Sequence, residues 1–164
     1  MSLHLDHLIS KAEHLARSGD NDEAMSLATD LTEQHPSEIK VWMLRAHLWT
    51  LKRDYTQAIA DLTRAINING MEPSLFYDRG RHALALGDVL SAISDFSEGL
   101  RLCDGYNDDY YRGPLHFFRA EALLRLGRKH EALADLHHVR EDFTTWTDKL
   151  RTKAELLAEC SELP

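Results

Sequence analysis

The sequence predicts an all-α fold of four helical hairpins closed by one further helix, and three observations carry that prediction. Asp54–Ile66 and Asp88–Leu100, 34 residues apart, share Asp, Ala, Ile and Asp at corresponding places, Asp54/Asp88, Ala58/Ala92, Ile59/Ile93 and Asp61/Asp95. Alanine recurs in one column at Ala24, Ala58, Ala92 and Ala132, and small residues recur in a second at Ala12, Ala46, Gly80 and Ala120. A glycine or aspartate turn separates the two helical patterns of each unit. Self-similarity at such a period marks a stack of like units, each too small to bury its apolar face alone.

The elements follow in order along the chain. Helical periodicity runs through Leu8–Leu15, Trp42–Trp49, Phe76–Ala83 and His116–Leu123, and each stretch is followed by a second pattern that begins near Asp20, Asp54, Asp88 or Arg128. The hairpins are placed at about residues 5–36, 39–70, 73–104 and 113–143, within a single domain spanning 1–164. Trp146, Leu150, Ala154, Leu157 and Ala158 fall on one stripe at helical spacing, which predicts a capping helix over about 145–161 and nine helices in all.

The turns and the packing have physical reasons. Gly19, Gly87 and Gly127 stand where a first helix ends, a place that favours the left-handed backbone, while Arg53 stands at that place in the second unit. Asp20, Asp54 and Asp88 come next, able to accept hydrogen bonds from the free N–H groups of the following helix. Asp20 with Glu23 and Asp54 with Gln57 have the spacing of a capping box. The small columns let helices approach closely, and Trp42, Phe76, Leu62, Phe96 and Leu136 supply the bulk that interdigitates with them.

Tyr77-Asp-Arg79-Gly80 followed by Gly87-Asp88-Val-Leu-Ser-Ala92-Ile-Ser-Asp95 resembles the tetratricopeptide repeat, and the resemblance extends over roughly residues 4–141. It implies a right-handed α-solenoid whose first helices line a concave, peptide-binding groove. On that resemblance the lining comes from Ile9, Glu13, Met43, His47, Tyr77, Arg81, Phe117 and Glu121. The carboxylate clamp by which some family members grip chaperone tails needs Lys and Asn at places that hold Ile9, Glu13, Leu44, Ser74 and Asp78 here. The sequence therefore argues against a chaperone adaptor of that type.

Composition narrows the function classes. Hydrophobic residues make up 43% and charged residues 28%, an ordinary globular balance. The formal net charge of −8 disfavours nucleic acid, whose readers neutralise phosphates with Lys and Arg, and suits a protein partner with a basic surface. No run of 18 apolar residues occurs, so no membrane span is expected. Met1–Asp6 has neither the basic start nor the apolar stretch of a signal peptide, and Cys103 and Cys160 lack redox or metal-ligand spacing. A reduced, cytoplasmic setting is the expectation.

Three constellations bear on function. Arg45, Arg79 and Arg119 are each followed 16 positions later by an acid, at Asp61, Asp95 and Asp135, and this regularity reads as a structural ladder rather than a ligand site. The 10 histidines include neither a His-Glu-x-x-His motif nor a zinc-spaced set, so no cofactor or metal is expected. The third is the segment between the third and fourth units, which interleaves Asp104, Asp108 and Asp109 with Tyr106, Tyr110 and Tyr111. Insertions in repeat proteins fall in loops, often on the binding face, and tyrosine is favoured at interface cores.

The expected function is accordingly a non-catalytic module or adaptor that binds a peptide or protein through the groove and the 104–113 loop. The alternative is a dedicated inhibitor, such as a bacterial immunity protein that neutralises a basic toxin domain. A metal-dependent enzyme is a minor alternative.

Overall fold

The computed structural model describes residues 2–106, 110–146 and 150–161, and the chain divides into two compact units, Met1–Met71 and Glu72–Pro164. Asp108 and Asp109 lie outside the described residues, as do the side chains of Tyr106, Trp146 and Leu150.

The first unit is two hairpins, α1 (Ser2–Ser18) with α2 (Asn21–Gln34) and α3 (Ile39–Leu51) with α4 (Tyr55–Ile68). Its core is built on the small columns: Ala12, Ala24 and Ala58 are wholly buried, with Leu31, Val41, Leu48 and Leu62 filling the space between. Trp42 is fixed from three sides. Its Nε1 donates to the Pro36 carbonyl at 2.9 Å, and the Arg45 and Arg64 guanidinium groups lie 4.9 and 4.7 Å from its ring centre.

The second unit holds α5 (Pro73–Ala85) with α6 (Val89–Tyr106) and α7 (Arg112–Arg125) with α8 (Lys129–Leu136). A two-stranded antiparallel ribbon, β1 (Thr144–Trp146) with β2 (Leu150–Thr152), and α9 (Lys153–Ser161) follow. Nine helices are thus present among the described residues. Glycine is required at two helix contacts: a Cβ on Gly80 would come within 2.6 Å of Phe96, and one on Gly99 within 2.8 Å of Leu115.

The turns behave as the residue types demand. Gly19, Gly87 and Gly127 have φ of 93°, 83° and 71°, and Arg53 adopts the same left-handed backbone with φ of 59°. Asp54 and Asp88 cap the helices after them, accepting from Gln57 N at 3.1 Å and Ser91 N at 3.2 Å. Asp20 makes no such side-chain bond, so the capping box expected there does not form.

Two elements differ from the sequence expectation. The final helix begins at Lys153, not near 145, and the residues before it form the ribbon. Thr144, Thr145 and Thr152 are β-branched and fit an extended backbone, and the helix start is fixed by a capping box. In that box Glu155 accepts from Thr152 N at 2.8 Å, and Thr152 Oγ1 accepts from Glu155 N at 3.2 Å. The buried face of α9 is consequently Lys153 and Leu156, while Ala154 and Ala158 are exposed. Secondly, α6 continues through Tyr106, so Asp104 sits on a helix and not in a loop, and Arg112 and Gly113 already belong to α7.

Candidate interaction surface

The arginine ladder is structural in both units. Arg45 grips Asp61 through two hydrogen bonds of 2.7 and 2.8 Å, Arg79 grips Asp95 at 2.9 and 2.7 Å, and Arg119 grips Asp135 at 2.8 and 2.6 Å. The acids are buried, so each depends on its fork of N–H donors. Two of these arginines also reach the preceding hairpin, Arg45 Nη1 to Thr32 Oγ1 at 2.9 Å and Arg119 Nη1 to Ser97 Oγ at 3.0 Å. Burial is the largest influence on Asp135 and raises its pKa, yet the bonds from Arg119 and His116 together hold it below the usual carboxylate range.

A cluster of aromatic rings forms in the second unit where α5, α7 and the turn before α7 meet. The Tyr77 ring lies 5.5 Å from Tyr111 and 5.7 Å from Phe118, and Tyr110 stands edge-on to Tyr111 at 4.9 Å. Arg81, one helical turn beyond Tyr77, places its guanidinium 5.3 Å from the Tyr77 ring centre and 5.2 Å from that of Phe118. Burial raises the Tyr77 pKa, partly offset by the nearby Arg81 charge. Tyr110 is 78% exposed, so the cluster ends in an aromatic side chain turned to solvent.

The structure therefore brings four of the sequence-predicted residues together: Tyr77 and Arg81 from the groove set, Tyr110 and Tyr111 from the inserted segment. Asp104 is near the same turn but its carboxylate is held by Arg112, whose Nη2 also reaches the Cys103 carbonyl at 3.4 Å. That contact lowers the Asp104 pKa and ties the end of α6 to the start of α7. Met43, half-buried, and His47, exposed, lie on α3 of the first unit; half-buried Ile9 and exposed Glu13 lie on α1.

The structure buries Phe117, against the expectation that it lines an open groove, and leaves Glu121 half-buried. They stand 40 residues after Tyr77 and Arg81, at equivalent places on α7, but Phe117 is wholly buried. The chain covers it with Phe143, whose ring is 5.0 Å away. Glu121 is 13% exposed, accepts from Arg125 at 3.1 Å, and lies close enough to Arg151 of β2 to raise that arginine's pKa, behind the larger effect of Glu159. The segment between α8 and α9 thus occupies the face of the fourth hairpin that the repeat alone would leave open. Sequence reasoning missed Phe118, Phe143 and Arg151. The signal for Phe143 was an aromatic residue outside the repeat register.

Among the described residues no group of three His, Cys, Asp or Glu side chains could hold a metal ion, and no helix is long and apolar enough to cross a membrane.

Comparison with known proteins identifies the repeat. The tetratricopeptide-repeat family model matches residues 9–73. MamA superposes with a TM-score of 0.74 at 12% identity, over 84% of this chain and 72% of that one. YrrB, described as a TPR protein with an unusual peptide-binding site, gives 0.68 at 19% identity, over 80% of this chain and 64% of that one. The first TPR of Spaghetti (RPAP3), solved bound to the HSP90 peptide SRMEEVD, gives 0.67 at 19% identity, over 77% of this chain and 96% of that one. Among curated proteins, no sequence matches this chain closely enough to count as a relative. At these identities the structural likeness is one of fold, and it agrees with the sequence match to the repeat. Residues 9–73 thus match the tetratricopeptide repeat in sequence, and the chain has the all-α solenoid fold of tetratricopeptide-repeat structures, with four helical hairpins followed by a terminal helix among the described residues.

Proposed function

We propose that this protein is a non-catalytic interaction module that binds a segment of another protein, and that the Tyr77–Arg81–Tyr110–Tyr111 face of the second unit is a main contact. The single observation behind this reading is the exposure of Tyr110, 78%, on top of a packed aromatic layer. An isolated exposed tyrosine needs no explanation. One held edge-on by a ring that is itself held by Tyr77 is pre-organised, and aromatic side chains of that kind dominate interface energetics. Met43 and His47 offer a further contact in the first unit, and the reading extends to the acids and tyrosine of the inserted segment, Asp104, Tyr106, Asp108 and Asp109, of which only Asp104 has a described side chain.

The test is a comparison of the intact protein with Tyr110→Ala, after their melting curves have been matched. Affinity capture from the native cell should yield a partner that the intact protein retains and the variant releases at least about tenfold faster. Capture of the same partners with the same dissociation rates would overturn this assignment of the surface.

A second reading is favoured by the net charge of −8: a dedicated inhibitor, such as an immunity protein, of a partner with a basic surface, acting in the cytoplasm. It requires one folded partner, bound tightly at one-to-one stoichiometry and with strongly salt-dependent association. Micromolar binding of short, varied peptides would favour the adaptor instead.

A further inference from the structure

The fourth hairpin shows what this scaffold does with an aromatic residue and a charge one turn apart. On α7, Phe117 receives the ring of Phe143 at 5.0 Å, and Glu121 stands within electrostatic reach of Arg151. One connecting segment of the chain, between α8 and α9, thus brings an aromatic side chain and a charge opposite to the one on the helix. On α5 the equivalent places hold Tyr77 and Arg81, so the aromatic residue is kept and the charge reversed.

At α5 the aromatic part of the match is supplied by Tyr111 and extended outward by Tyr110, while among the described residues no carboxylate forms an ion pair with Arg81. Arg81 is held between the Tyr77 and Phe118 rings, and its Nε is buried without a hydrogen-bond partner. Ring contacts orient a guanidinium without satisfying its N–H donors. A carboxylate reaching the outer nitrogens gains charge-assisted hydrogen bonds from a group already fixed in place.

We infer that the Tyr77–Arg81–Tyr110 face takes a protein segment that carries a carboxylate beside an aromatic or aliphatic side chain, the carboxylate meeting Arg81 and the apolar group meeting Tyr110. The inference rests on the protein-binding reading above and specifies the partner's chemistry. An acidic side chain and a chain terminus offer the same carboxylate, so both are tested.

The experiment titrates the isotope-labelled full chain with short peptides and follows its backbone amides by NMR. The probes are acetyl-Ala-Phe-Asp-Ala-amide and its Asn counterpart, then acetyl-Ala-Asn-Phe with a free and with an amidated terminus. Shifts are expected along α5 and residues 110–118, with one carboxylate peptide about tenfold tighter than its neutral counterpart. Whichever pair shows the preference identifies the source. The preference should weaken in high salt, disappear in Arg81→Gln and survive in part in Arg81→Lys. Equal shifts from charged and neutral peptides would overturn the carboxylate inference while leaving a protein-binding face intact. Absence of shifts on α5 from every peptide would overturn both. The comparison of peptides on the unaltered protein decides the matter even if a variant at Arg81 folds poorly.

Discussion

Alanine at position 80 would place a methyl group 2.6 Å from Cε1 of Phe96, 2.9 Å from Cδ1 and 3.0 Å from Cζ. Carbon atoms rest at about 3.5–4.0 Å, so either the ring or the helix must withdraw by about 1 Å. The ring has little room to do so, because Phe96 is wholly buried and stacked on Phe118 at 6.1 Å. Overpacking of this kind costs about 1–3 kcal/mol. Against it stands the helix gain of alanine over glycine, about 0.5–1 kcal/mol. The balance predicts that Gly80→Ala destabilises by about 1–2 kcal/mol, most of it recovered by adding Phe96→Leu, which shortens the obstructing side chain. Urea melts by circular dichroism measure the loss, and hydrogen exchange at α5 and α6 localises it. A neutral or stabilised Gly80→Ala, or strict additivity with Phe96→Leu, would refute the claim that these two helices meet through the missing Cβ.

Four further outcomes are expected. Asp95→Ala should cost on the order of 3 kcal/mol because it leaves the Arg79 charge uncompensated; the double change with Arg79→Met should restore much of it, and an additive double-mutant cycle would count against the ladder. Gly87→Ala should lose about 1–2 kcal/mol, since the left-handed φ of 83° is strained for any side chain; equal melts would contradict the backbone assignment. Lys153→Met should raise hydrogen exchange around Val139, because Lys153 Nζ holds the Val139 carbonyl at 2.8 Å and Glu141 at 2.5 Å; protection there would have to stay unchanged for the tie to be irrelevant. His82 is buried, and that burial, aided by Arg81, lowers its pKa from 6.5 to about 4. The unfolded chain then binds a proton that the folded chain refuses, so stability should fall by roughly 3 kcal/mol as pH drops from about 6.5 to about 4. His82→Gln should flatten that part of the pH profile, measured by urea melts at stepped pH.

The hairpins were legible because their determinants are local and repeated. The small columns, the left-handed turn residues and the Arg-to-Asp spacing each need only neighbours within one hairpin, and all three occur where the sequence places them. The last helix was misread because Trp146, Leu150, Ala154 and Leu157 happen to share helical spacing, while the local signal that decides its start, Thr152 with Glu155, is a capping box inside that stripe. Phe117 was assigned to the groove for the reason that Tyr77 was, an equivalent place on a first helix. Its actual burial is set by Phe143, which lies beyond the end of α8 and outside the recurring columns, and so leaves no trace in the period. Convergence of Tyr110 and Tyr111 on Tyr77 depends on how α6 ends and α7 begins, and composition alone does not encode that path.

The ladder arginines have a consequence for how the protein comes apart. In the first unit Arg45 on α3 holds Asp61 of α4 and Thr32 of α2; in the second, Arg119 on α7 holds Asp135 of α8 and Ser97 of α6. A helical repeat can in principle fray hairpin by hairpin, since each touches only its neighbours. Here, peeling one hairpin from the next strips a half-buried guanidinium of one acceptor while its bonds to the acid persist, so one N–H of the group loses its protein partner in the remaining helix pair. Opening of α2 from α3, or of α6 from α7, is thereby coupled to weakening of the hairpin left behind. Within each unit, the two hairpins are expected to exchange their amide hydrogens as one cooperative body rather than in sequence from an end.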